Sequence, residues 1–203
     1  MILFKYKMEY SKSNNMSSNQ SFVVFLLTLT VLLHSCDDKT KRKVEVENIV
    51  KEWIGKEIKF PDNMLFSVYG RDTSSALLPE TPYKILLCID STGCTICKLK
   101  LLEWKALIHE ADTALTDKLS FVFCFYPKEK KELQSLLKYD HFDYPVYIDM
   151  HNELNNLNQF PKQAEYQCFL LDKENKVISI GNPVLNTQVW ELYKQIIIKP
   201  ITN

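Results

Sequence analysis

The sequence predicts one layered α/β domain, with strands and helices alternating along most of the chain. Three observations carry this. Two runs, 83–89 (YKILLCI) and 119–126 (LSFVFCFY), are almost wholly apolar, as strands covered on both faces are. Between and after them, apolar residues recur at helical spacing. The chain is 203 residues long and 46% hydrophobic with only 4 Gly and 8 Pro, which supports a real core and excludes a disordered or collagen-like chain. Twenty-five Lys+Arg balance 25 Asp+Glu, so a nucleic-acid binder working by phosphate neutralisation is not expected. Six Cys are too few for a disulfide-dense small scaffold of this length.

The first thirty-five residues read as an address. Lys5, Lys7 and Lys12 against a single Glu9 precede an uncharged, mostly apolar run at 22–33 (FVVFLLTLTVLL), the order of a secretory signal. The run is shorter than the roughly 20 residues that span a membrane. Leu33-His34-Ser35-Cys36 resembles a bacterial lipobox, with Leu at −3, a small residue at −1 and His34 at −2; Cys36 is then the lipidation site. An ordinary Cys after a cleaved signal and an uncleaved anchor are the alternatives. The expected organisation is a signal at 1–35, a charged tether at 36–43 and a folded domain at 44–203. Without residues 1–35 the chain holds 22 basic and 24 acidic residues, net −2. Secretion would place the protein outside the cytoplasm, where disulfides form and persist, and lipid would tether it to a membrane.

Val46, Ile49, Val50 and Trp53 fall at i, i+3, i+4 and i+7, which predicts a helix over 44–54. Short strands are expected at 58–60 and 65–68, parted by a turn at Pro61-Asp62-Asn63, and a loop over 70–82. Strand 83–89 then leads into a helix from Cys94 to about Glu110, with Cys97, Leu101, Trp104 and Ile108 on one face. After strand 119–126, Pro127 opens a helix over 128–138. A strand at 145–149, a weak helix at 151–158, a hairpin of 166–172 with 177–180 and a final amphipathic helix over 186–198 complete the order.

The chemistry-bearing motif is Cys94-Thr95-Ile96-Cys97, which follows an apolar strand and opens a helix. Free backbone N–H groups and the positive end of a helix dipole stabilise a thiolate there. Cys94, in the first turn, would be the exposed nucleophile of low pKa; Cys97, one turn in on the apolar face, would resolve the mixed disulfide. Lys98 would help hold the thiolate. A zinc site is the poorer reading, because there is no second CxxC and His34, His109, His141 and His151 form no His-x3–5-His pair. A static structural disulfide is the other alternative.

These residues resemble the thioredoxin-like fold of TlpA/ResA-type envelope proteins, which are membrane-tethered and related to peroxiredoxins. The resemblance covers about residues 57–200 and rests on Gly93-Cys94-Thr95-Ile96-Cys97-Lys98 and on Cys168-Phe169-Leu170-Leu171-Asp172 with Asn175-Lys176-Val177-Ile178. It implies a three-layer sandwich with a central mixed sheet flanked by helices. It also implies Cys94 as attacking and Cys97 as resolving thiol, partners that are envelope protein dithiols or disulfides, and no cofactor. The sequence departs from the family at three places. Gly93 stands where Trp is usual. Tyr166 stands where a cis-Pro faces the disulfide, the nearest upstream proline being Pro161. Cys88 stands where a buried acid falls, leaving Asp90 and Glu103 as candidate proton acceptors.

Cys88, Cys124 and Cys168 lie in apolar runs and read as small packing residues; Cys168 is also a candidate third thiol beside the CxxC. The leading function is extracytoplasmic thiol–disulfide exchange. Its rivals are a non-catalytic binding module that keeps a structural disulfide and a carrier of a soft ion such as copper(I) on Cys94 and Cys97.

Overall fold

The structure, a computed structural model, describes residues 40–69, 71–72, 78–90 and 99–199. Two compact units divide it, residues 1–48 and residues 49–203. The described part of the first, residues 40–48, is helical and mostly exposed, with Lys43 and Glu47 one turn apart at 4.0 Å. That helix, α1 (residues 40–53), begins four residues before the expected start. Lys and Arg are good helix formers, so the charged stretch extends the helix.

In the second unit the chain runs through β1 (Phe66–Val68), β2 (Arg71–Asp72), β3 (Tyr83–Ile89), α2 (Leu101–Ala114), β4 (Leu119–Phe125), α3 (Lys130–Tyr139), β5 (Val146–Ile148), α4 (Glu153–Asn158), a 3-10 turn (Ala164–Tyr166), β6 (Cys168–Leu171), β7 (Val177–Ile180) and α5 (Thr187–Ile198). The strands form one mixed sheet in the order β2-β1-β5-β4-β3-β6-β7. Strands β3, β4 and β5 are parallel, while β6 pairs antiparallel with both β3 and β7. β1 pairs antiparallel with β5 and with the two-residue β2, which falls inside the stretch read from sequence as loop. Tyr69, at φ 53°, turns the chain between them.

Strand alternation sorts the core into two layers. Ile85, Leu87, Phe121, Phe123 and Leu170 point to one face, where α2, α3 and α5 supply Trp104, Leu133, Leu137, Trp190 and Tyr193. Leu86, Cys88, Val122, Cys124 and Phe169 point to the other, where they meet Ile49, Trp53, Ile58, Leu154 and Phe160. The aromatic rings interlock: Trp104 meets Phe123 edge-on at 5.3 Å, and Trp53 packs on Phe169 at 5.1 Å and on Phe160 at 5.6 Å. Leu101, Trp104 and Ile108 are buried together, as their spacing predicts, while Val50 of the expected α1 stripe is exposed.

The expected strand at 58–60 is absent. Glu57 makes an isolated bridge to Lys176, the Ile58 N–H donates to the Asn175 carbonyl at 2.9 Å, and the backbone groups of Lys59 are then taken by a side chain. Asn158 accepts from the Lys59 N–H at 2.8 Å and donates through Nδ2 to the Lys59 and Leu154 carbonyls, both at 2.8 Å. A buried amide here does the work of a neighbouring strand. At the far edge, Gly181 carries φ 142°, and an added Cβ would lie 3.1 Å from the Val189 side chain; its carbonyl accepts from the Tyr193 hydroxyl at 2.8 Å and so pins α5 to the end of β7.

Asn158→Ala strips the side-chain partner from the part-buried N–H and carbonyl of Lys59 and is expected to cost about 1–3 kcal/mol, the scale of one orphaned group because water can reach these two. Asn156→Ala, at an exposed amide of the same helix, is expected to stay within about 0.5 kcal/mol. Urea unfolding of both variants checks this; equal stabilities would show that Asn158 does not hold the segment.

Candidate functional site

The site is built on the end of β3. That strand lies between parallel β4 and antiparallel β6, and both of its faces are covered. Ligands of open α/β sheets gather at the carboxyl ends of parallel strands. At that edge a cavity of about 190 Å³ opens, lined among others by Cys88, Asp90, Cys124, Tyr126, Asp149 and Gln167.

Cys94 and Cys97 lie outside the described residues, as do Cys36, Gly93 and Lys98. Both ends of the segment that carries the CxxC are described. Asp90 follows β3 and lines the cavity. Leu99 is buried, and Lys100 stands in left-handed backbone at φ 47°, so the helix expected from Cys94 to about Glu110 does not run through unbroken: α2 starts at Leu101 and continues to Ala114. Of the two candidate proton acceptors, only Asp90 reaches the cavity. Glu103 sits half-exposed on α2, 3.4 Å from the Lys100 ammonium.

The three buried thiols separate into a pair and a single. Cys88 and Cys124 are direct partners in the parallel β3–β4 register and lie on the same face. Burial pushes the Cys88 thiol well up, and a hydrogen bond with Cys124 adds to the shift. Cys168 pairs with Leu87 across β3–β6 and lies on the opposite face, the one that α2 covers. It is fully buried, and burial pushes its thiol up as well. A thiol held protonated and out of solvent is a poor nucleophile, so packing describes Cys168 better than the third-thiol role does.

Among the polar residues of the cavity that sequence reading missed are Asp149 and Gln167. Asp149 was read only as the end of a strand. It is 2% exposed, and its carboxylate accepts from the backbone N–H groups of Glu153 and Leu154, both at 2.9 Å, and from His151 at 3.3 Å. It therefore closes the N-terminus of α4. An Asp directly after an apolar strand, with Glu153 four residues on, was the available signal. Gln167, the residue before β6, donates to the Pro161 carbonyl at 2.7 Å, and its own carbonyl accepts from the Cys88 N–H at 2.9 Å. It follows the 3-10 turn that holds Tyr166, so the position where the resembled family has a cis-Pro is occupied by a short helical turn.

A β3–α2–β4 unit with parallel strands, an antiparallel β6–β7 hairpin beside β3 and a closing helix α5 make up the thioredoxin-like fold. No protein-family model matches the chain, and no curated protein does. Among solved structures it is similar to StoA from Bacillus subtilis, at 16% identity over 64% of this chain and 95% of that one, with a TM-score of 0.47. It is also similar to a thiol-disulfide oxidoreductase from Bacteroides fragilis (13% identity, 68% and 99% of the two chains, TM-score 0.49) and to peroxiredoxin Q from Xanthomonas campestris (17%, 66% and 91%, TM-score 0.49). Strand order and connections, rather than these distant likenesses, define the fold.

Burial predicts the labelling of Cys168. In the native chain at pH 8, iodoacetamide should modify it slower than in denaturant by about two orders of magnitude or more, because labelling must await local opening. Peptide mass spectrometry checks this, and labelling at the rate of a free thiol would contradict the packing role.

Proposed function

We propose that this chain is an extracytoplasmic thiol–disulfide exchange protein that works through Cys94 and Cys97 and is held at a membrane by lipid on Cys36. The observation that carries the reading is the position of β3. It is the strand between parallel β4 and antiparallel β6 of a thioredoxin-like sheet, and the segment with both cysteines joins its carboxyl end to α2. Cys94 thus belongs to the connection that leaves the end of a parallel strand, and α2 begins at Leu101, so the thiolate reading rests on the CxxC spacing and on the neighbouring Lys98 in sequence.

In the proposed cycle the Cys94 thiolate attacks one sulfur of a partner protein's disulfide. A Cys94–partner disulfide forms and the partner's other sulfur leaves as thiolate, taking a proton from solvent. Cys97 then loses its proton and attacks Cys94. The partner departs as a dithiol, and Cys94–Cys97 remains as the disulfide. The reverse sequence oxidises a partner dithiol. Asp90, at the cavity wall, is the carboxylate best placed among the described residues to take up or return a proton near this segment.

A second reading is a non-catalytic thioredoxin-fold binding module with a structural disulfide. The turn at Ala164–Tyr166 favours it, because Tyr166 replaces the residue that would dock a substrate backbone in the resembled family.

Titration of the full chain in detergent with glutathione redox buffers, read by alkylation and mass spectrometry, separates the two. Exchange chemistry predicts a reversible two-electron transition of Cys94 and Cys97 above about −300 mV. A disulfide that resists reduction throughout would establish the binding module.

A further inference from the structure

Cys88 and Cys124 are absorbed neither by the proposed exchange chemistry nor by packing alone. They are the two thiols that line the cavity at the strand ends, and they face each other in direct register. We propose that Cys88 and Cys124 form a buried dithiol site for one soft, thiophilic cation of the copper(I) class, reached through that cavity.

Three features lead there. The first is span. Neighbouring strands lie about 4.8 Å apart, and registered residues on one face keep their Cβ atoms near that spacing. A disulfide needs Cβ atoms roughly 3.5–4.5 Å apart, so closing one would pull two central strands together; both thiols are free. An inserted ion adds two metal–sulfur bonds, each on the scale of the roughly 2.3 Å of zinc–thiolate, and suits the wider spacing.

The second feature is ligand count. No group of three or more His, Cys, Asp or Glu able to hold a metal occurs among the described residues. Asp149, the nearest buried carboxylate, already serves three backbone N–H groups. Among the described residues the pair thus supplies two of the four ligands that zinc takes and none of the oxygen set that calcium or magnesium takes. A site of two thiolates selects a soft ion content with few ligands. The third feature is access. Cys88 and Cys124 are buried but line the cavity at the strand ends, whereas Cys168 does not line it, so the cavity is the route to the pair. Binding is not a redox step: the ion replaces the two thiol protons, which leave to solvent, and two metal–sulfur bonds form.

The test removes the competing dithiol. The full chain carrying C94S and C97S, in detergent and without oxygen, is titrated with copper(I) against the chromogenic chelator bicinchoninate. One ion per chain is expected. Adding Cys88→Ala or Cys124→Ala should weaken uptake by more than the roughly 10–100-fold that an outer-shell change costs. Copper K-edge absorption of the loaded parent should show two sulfur neighbours, a readout that does not depend on whether the Ala variants fold. No uptake, uptake indifferent to both Ala substitutions, or three or more sulfur neighbours would each overturn the site. The outcome is independent of Cys94 and Cys97, so the exchange reading stands or falls separately.

Discussion

Burial of β3 on both faces, with hydrogen bonds to a strand on either side, is the constraint from which the rest of the structure follows. A strand so placed has no solvent-facing side chain to spare, which is why 83–89 reads as a nearly continuous apolar run. Lys84 is the exception. It is 2% exposed, burial lowers its pKa, and Asp172 and Glu80 act against that loss. It lies at the beginning of β3, so its cost falls away from the end where chemistry gathers. Both apolar layers contain β3 residues, Ile85 and Leu87 in one and Leu86 and Cys88 in the other, and the cavity forms where the parallel strands stop.

The same alternation decides what each buried cysteine can do. In the sequence Cys88, Cys124 and Cys168 look alike, each a small thiol in an apolar run. The parity of the strands separates them. Cys88 and Cys124 share one face and a cavity, while Cys168 lies on the other face, fully enclosed. A shift of one residue in the β3–β4 register would put Cys88 and Cys124 on opposite faces. The chemistry assigned to the pair is therefore a property of strand pairing rather than of local sequence.

That distinction also marks what the sequence made legible. Strands β3 and β4 were readable as continuous apolar runs and the buried face of α2 from its helical spacing, whereas in α5 the buried residues are Trp190, Tyr193 and Ile197, with Leu192 exposed, so its existence was legible and its face was not. The order of alternating elements sufficed for the fold class. The two-residue β2 was not readable, since only its partner β1 makes it a strand. The expected strand at 58–60 failed for the opposite reason: Asn158, about a hundred residues away, satisfies Lys59 in place of a neighbouring strand. Asp149 carries a local signal, an Asp just ahead of the helix whose first N–H groups it binds, whereas the Gln167 carbonyl serves the Cys88 N–H on a strand far away in sequence, which no local pattern encodes. The CxxC was legible as a motif, through its spacing and its place between strand and helix.

The central claim is that Cys94, in the connection from the end of β3 to α2, is an activated thiol. Its pKa tests that claim most directly. In the full chain carrying Cys97→Ser, the rate of Cys94 alkylation by iodoacetamide, resolved by peptide mass spectrometry, is followed from pH 4 to pH 10. The account predicts a midpoint well below the value of about 8.5 for an unperturbed thiol. A midpoint at or above that value would contradict it.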